Sequence, residues 1–148
     1  MTIKNSVSGF SLTESLIVIT CMAVLIAAAA PNVFHLRKEW VLWNSARALA
    51  ASLQWGRMHA ISANTPLLFQ VDDGGRKYCW MDPESDEPYA NSIRYLPADI
   101  VIAGFPGRSL RFYQHGNAAP AGTYTLEGDA GSYSVVVSPG GRIRIQRN

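Results

Sequence analysis

Twenty-one consecutive residues, Phe10 to Ala30, carry a single charge, Glu14, in a chain of 148. At about 1.5 Å per residue they make roughly 31 Å of helix, the thickness of a bilayer's hydrocarbon core. From Leu16 to Ala30 only Thr20 interrupts the apolar run, and its hydroxyl can bond back to its own helix. The stretch reads as a single-pass membrane helix. A cleaved secretory signal is the rival, since Ala28-Ala29-Ala30 supplies the small residues a signal peptidase needs. Against it, fifteen residues precede the unbroken run, and they include an acid where a signal carries bases. Lys4 lies before the segment, and Arg37 and Lys38 follow it, so flanking charge alone does not set the orientation. A uniformly soluble cytoplasmic enzyme does not fit this chain.

An acid inside a spanning segment costs about 2.5–3.5 kcal/mol at the helix centre and less near an end. Glu14 either snorkels to the headgroups or meets a cation from another subunit. Around it, Ser8-Gly9-Phe10-Ser11-Leu12-Thr13-Glu14 resembles the prepilin motif of type IV pilins and type II secretion pseudopilins. The resemblance implies that prepilin peptidase removes a leader, residues 1–9, by cutting between Gly9 and Phe10. It also implies N-methylation of Phe10 and an assembly contact between Glu14 and the Phe10 amine of a neighbouring subunit. The expected organisation is a transmembrane and assembly helix over 10–34, an amphipathic helix over 35–64 and a periplasmic β head over 65–148. The expected location is the inner membrane, and the pilus or cell surface once assembled.

Helical periodicity continues past Pro31, which removes one backbone bond and kinks a helix rather than ending it. Leu42, Ala46, Leu49, Leu53 and Ala60 form an apolar stripe, with Asn44, Arg47, Ala51 and Gln54 on the other side. Asn64-Thr65-Pro66 ends the helix near Ala63. Trp40 and Trp43 fit either a membrane-interface belt or burial against the sheet, whereas Trp55 reads as core. After Pro66 the pattern changes to short strands separated by turns: Leu67–Val71, Arg76–Met81, Ser109–Gln114, Thr123–Glu127, Ser132–Ser138 and Arg142–Arg147. The fold class is α+β, a long helix packed on a mostly antiparallel β head. Ala46 to Ile61, Leu110-Arg111-Phe112, Gly122 to Leu126 and Val135 to Arg144 together resemble the GspH/FimT minor pilins.

The chemistry of catalysis is not visible. His35, His59 and His115 stand in no metal-ligand spacing, and neither a nucleophile elbow nor a phosphate-binding glycine loop is present. The acidic segment 82–88 lacks the order and glycine of a calcium loop and reads as a solvated turn. Cys21 lies in the apolar segment and Cys79 in the head, which leaves the head without a disulfide and Cys79 as a small buried hydrophobe. No cofactor is implied.

Charge is polarised along the chain. Residues 72–99 hold seven acids and three bases, while residues 100–148 hold five arginines and two acids, none after Asp129. In Gly141-Arg142-Ile143-Arg144-Ile145-Gln146-Arg147 the alternation turns Ile143 and Ile145 to the core and Arg142, Arg144 and Gln146 to water; Arg147, at the chain end, suits either side. Exposed-strand amphipathicity explains the alternation but not the choice of arginine, whose guanidinium binds phosphate bidentately. Arg142, Arg144 and Arg147 are therefore the candidate DNA-binding cations, and Arg108 and Arg111 extend the patch if the sheet brings them near. FimT-like members linked to DNA uptake carry a Gly-Arg-x-Arg motif implicated in DNA binding, and Gly141, Arg142, Ile143 and Arg144 match it. The resemblance thus implies a minor type IV pilin that binds DNA through phosphate contacts, for natural transformation. Alternatives are a GspH-type pseudopilin of type II secretion and a minor pilin that only primes assembly; other pilins are partners in all three. Intact-mass measurement of the membrane-extracted protein is expected to give 139 residues starting at a methylated Phe10; the full 148 would reject the processing reading.

Overall fold

The computed structural model describes residues 11–85, 87–89 and 91–148, with the side chains of 29–35 outside that description. Gly9, Phe10 and the leader expected over residues 1–9 therefore lie outside the described residues. Helix α1 runs Leu12–Ser62 and continues through Pro31. The chain divides into two units, Met1–Leu36 and Arg37–Asn148.

In the first unit the helix exposes an apolar surface that includes Leu16, Ile19, Met22, Leu25 and Ile26. Thr20 Oγ1 donates to the Leu16 carbonyl at 2.7 Å, so its hydroxyl is satisfied within the helix. Glu14 occupies the first turn, where a carboxylate opposes the positive end of the helix dipole. Among the described residues no helix is long and apolar enough to cross a membrane. Part of the segment expected to do so, Phe10 and the side chains from Ala29 onward, lies outside the description.

The second unit packs the rest of α1 against nine strands: β1 Leu67–Val71, β2 Lys77–Met81, β3 Arg94–Tyr95, β4 Ile100–Gly104, β5 Leu110–Phe112, β6 Ala118–Ala119, β7 Gly122–Gly128, β8 Gly131–Val137 and β9 Ile143–Arg147. They form two sheets with the orders β3-β2-β1-β5-β6 and β4-β7-β8-β9, and all the pairings are antiparallel. All six expected strands are present within one or two residues. Sequence patterning misses β3, β4 and β6. Two of these have two residues each, too short to show a period. In β4 the Ile-Val-Ile-Ala run buries Ile100 and Ile102 but has no polar residue between them to mark the alternation.

All five residues of the helical stripe are essentially inaccessible, and they meet an aromatic cluster. The Phe69 ring lies 5.0 Å from Trp80 and 5.3 Å from Tyr124, and Trp80 lies 6.0 Å from Phe112, centroid to centroid. Trp80 reaches the helix because Gly56 has no side chain: a Cβ there would stand 2.2 Å from the indole. Its Nε1 donates to Ser52 Oγ at 3.1 Å, so the buried indole leaves no unpaired donor. Trp55, expected in the core, is 48% exposed. Trp80 fills the space beside Gly56, and Trp55 lies at the flank of the helix, stacked on His59 at 5.0 Å. Trp43 is half-buried and packs 5.2 Å from Tyr133, while Trp40 is exposed. Both cysteines are free, and partial burial holds the Cys79 thiol above its ordinary range.

Gly56→Ala sets two effects against each other: about 1 kcal/mol gained in helix propensity and about 1–3 kcal/mol lost to overpacking. The second should win, because a Cβ at Gly56 would lie within 2.7 Å of three atoms of the buried indole ring. The variant is expected to unfold at lower urea than wild type and to show altered near-UV dichroism. Gln54→Ala, at an exposed position one turn-face away, should change neither.

Candidate nucleic-acid interface

The candidate interface is built on β9 and the turn that introduces it. Ser138-Pro139-Gly140-Gly141 reverses the chain between β8 and β9, closed by the Gly141 amide donating to the Ser138 carbonyl at 2.9 Å. Ser138 clamps the turn twice more: its amide donates to the Arg142 carbonyl at 2.9 Å, and its Oγ accepts from the Arg142 amide at 3.1 Å. Arg142 therefore leaves the turn on a fixed backbone.

Gly141 has φ +74°, and a Cβ there would stand 2.0 Å from the Gly116 carbonyl oxygen and 2.7 Å from Arg57 Nε. The position requires glycine on both counts. Gly116, also at positive φ, belongs to the turn joining β5 to β6. Arg57 Nε donates to the Gly116 carbonyl at 2.9 Å, and the Ala118 amide donates to the Pro139 carbonyl at 2.8 Å. Helix, β5–β6 turn and β8–β9 turn are thus joined at one point.

Register then sets the arginines. β9 pairs with β8 so that Val136 faces Arg144 and Ser134 faces Gln146. Arg142, Arg144 and Gln146 share the outer face and, with Val136 and Ser138, line a shallow open groove of about 370 Å³. Ile143 and Ile145 turn to the core, as the alternation predicts. Arg147 shares their side of the strand. Its Nη1 pairs with Glu39 Oε1 at 2.8 Å, and its guanidinium lies 6.0 Å from the Tyr133 ring centroid. The strand thus divides its arginines, two on the groove and one on the helix side.

Arg111 lies on β5 of the other sheet, opposite Leu68 and Ala119, and does not join the groove. Arg108 is exposed in the loop before β5 and is not among the groove-lining residues. On the outer face of the arginine sheet β7 contributes Thr123, Thr125 and Glu127, since Tyr124 and Leu126 are buried. From the pairings, Glu127 is two strands and four residues away from Arg144. That is roughly 16 Å, well beyond a Debye length at physiological salt. Asp129 is held by Lys38 Nζ at 2.7 Å, a contact that puts its carboxyl below and the Lys38 ammonium above their ordinary ranges. The groove's positive field therefore has no nearby acid to cancel it. Sequence reasoning missed Ser138 as the clamp and Arg57 as the strut behind Gly141; both contacts are long-range or turn-specific.

A larger cleft, about 590 Å³, runs between the helix and β2–β3, with Trp55, Tyr78, Asn91 and Arg94 among its lining. Its polar groups are used internally: Arg94 Nη1 donates to the Asn91 and Ile93 carbonyls, and Ser92 Oγ serves the Trp80 backbone. Asp82 Oδ1 caps the Glu84 amide in the acidic turn. Among the described residues no cluster of His, Cys, Asp and Glu could hold a metal ion.

Residues 45–141 match the family model for type II transport protein GspH, and residues 4–30 match the prokaryotic N-terminal methylation motif. The chain is similar to type II secretion system protein H of Xanthomonas campestris pv. campestris, with 28% identity over 117 residues covering 77% of this chain and 68% of that one. Its fold is similar to that of the minor pseudopilin EpsH from the type 2 secretion system of Vibrio cholerae, with a TM-score of 0.60 and 14% identity, over 72% of this chain and 96% of that one. The type IV minor pilin FimU of Pseudomonas aeruginosa is similar to the same degree, with a TM-score of 0.60 and 23% identity, over 76% of this chain and 92% of that one. The GspH match ends at Gly141, one residue before the first groove arginine.

Gly141→Ala adds a Cβ where φ is positive and where the Gly116 backbone must give way. A loss of about 1–3 kcal/mol is expected from the backbone term alone, read as a lower urea midpoint. Gly140→Ala, with open space around it, should be close to neutral.

Proposed function

This chain belongs to the GspH family of type II transport proteins, and from that premise we propose that it is a minor pilin whose Arg142 and Arg144 capture DNA for uptake. It is a minor pilin or pseudopilin by family and by fold, with the long N-terminal helix and antiparallel β head of those subunits. In this reading prepilin peptidase cuts after Gly9, Phe10 is methylated, and Glu14 meets the new amine of a neighbour during assembly. The subunit starts in the inner membrane with its head in the periplasm and enters a filament with other pilins.

One observation carries the DNA reading. Arg142 and Arg144 lie along a single open groove, and no acid shares their face within electrostatic reach. The groove is shallow and open, and its two guanidinium groups suit phosphate contacts independent of sequence. Gly141 and Arg147 take no direct part: Gly141 shapes the turn, and Arg147 secures the strand to the helix through Glu39.

A second reading is favoured by the relative of known assignment, a type II secretion protein H. There the groove would meet another subunit or cargo. Titration of the full chain in non-ionic micelles with a mixed-sequence DNA duplex, across salt, separates the two. Binding should weaken as salt rises. The double variant Arg142→Gln with Arg144→Gln should lower the log K against log salt slope by about 1.8, two phosphate contacts' worth. An unchanged slope, or no binding at low salt, would leave the secretion role as the better account.

A further inference from the structure

We propose that Arg57 is a third phosphate-binding cation of the DNA site, carried by the helix rather than by the strand. The inference rests on the DNA reading above and adds to it a residue that the Gly-Arg-x-Arg pattern does not contain.

The geometry points there in three steps. First, Arg57 is seated against the turn that starts the arginine strand. Its Nε donates to the Gly116 carbonyl at 2.9 Å, and its Nε and Cδ lie 2.7 and 3.1 Å from where a Gly141 Cβ would be. Arg142 is the next residue along, so Arg57, though not itself among the groove-lining residues, braces the backbone from which the first groove arginine leaves. Second, only one edge of the guanidinium is used. Arg57 is half-buried, no buried side-chain nitrogen or oxygen lacks a partner, and the bond to Gly116 is the one its side chain makes among the described residues. Its two Nη groups make no hydrogen bond among the described residues and neither is sealed from solvent, although Nη2 lies toward Gly116, 3.4 Å from where a Cβ there would stand, so the guanidinium keeps donors for a phosphate.

Third, the segments that meet at this point carry arginine and no acid. Helix residues 54–62, the turn 113–117 and the turn 138–142 contain Arg57 and Arg142 and not one Asp or Glu, and the chain from Ile100 to Leu126 contains none either. An arginine kept only as a strut could satisfy Gly116 with any donor. One pinned through Nε is also pre-oriented, since the bond removes much of the side-chain freedom that binding would otherwise have to freeze. The groove arginines Arg142 and Arg144, by contrast, make no side-chain hydrogen bond among the described residues and must be ordered by the ligand.

The test uses the full chain in non-ionic micelles with the same duplex, comparing wild type with Arg57→Gln and Arg57→Lys. Arg57→Gln should lower the salt slope by about one. Arg57→Lys keeps the charge and loses the Nε bond, so it should hold the wild-type slope. An unchanged slope in Arg57→Gln overturns the proposal. So does an equal loss in both variants, which would make Arg57 a positioning residue acting through Gly116. Should Arg57→Gln fail to fold, Arg57→Met, which keeps the stem and removes the charge, takes its place with the same expected loss of about one in slope, and an unchanged slope in it overturns the proposal. These failures leave the effect of Arg142 and Arg144 intact. If wild type does not bind, or the strand double variant keeps its slope, the DNA reading itself has fallen and this inference with it.

Discussion

The head depends on one act of close packing: the Trp80 indole laid against the helix at Gly56. A bare backbone at that position lets β2 approach the helix closely, and the indole links the helical stripe to Phe69 and Phe112. Burying each large apolar side chain of this kind contributes about 1.5–3 kcal/mol, but the arrangement matters as much as the area. With Trp80 in place, β1 and β2 bring the first sheet onto Leu49 and Leu53, while Tyr124, Leu126 and Val135 bring the second onto the same core. Two sheets share one helix because a single narrow seam of small and apolar residues serves both.

From that seam the consequences reach the turn bearing the candidate site. Arg57 follows Gly56 directly, so the residue that admits Trp80 on one side of the helix is adjacent to the residue that braces Gly116 on another. The β8–β9 turn then docks against Gly116, which is possible only because Gly141 carries no Cβ. Glycine at the head of the arginine motif is thus explained by packing. Its place in a functional pattern is indirect: it sets where the strand begins and hence which face Arg142 and Arg144 occupy. A motif read as four equal letters separates here into a hinge, an inward isoleucine and two outward cations.

What was legible in the sequence follows from the range of the interactions involved. The helical stripe, six of the nine strands and the outward placement of Arg142 and Arg144 depend on periods of three to four and of two, which a short window displays. Strand β4 was illegible because it has no polar partner letters, and Trp55 was misplaced because a second tryptophan, distant in sequence, competes for the same space. The fate of Arg147 was open in the sequence, since strand parity put it on the isoleucine side but only the tertiary fold could supply Glu39. Arg57 was invisible as a site residue for the same reason: its significance lies in two turns more than fifty residues away.

The division of the strand's arginines bears on how strongly the head can act alone. On the proposed DNA reading, two groove cations, or three with Arg57, would release only a few counterions, so a single head would bind weakly at physiological salt. Weakness suits a filament subunit. A filament carrying several copies converts each later contact into an intramolecular one, and avidity then rises without any new interaction in the head. The third strand arginine stands apart from that groove: Arg147 pairs with Glu39 on the helix side, a partly exposed ion pair that contributes about 0–1 kcal/mol and leaves the outward charge of the strand to Arg142 and Arg144.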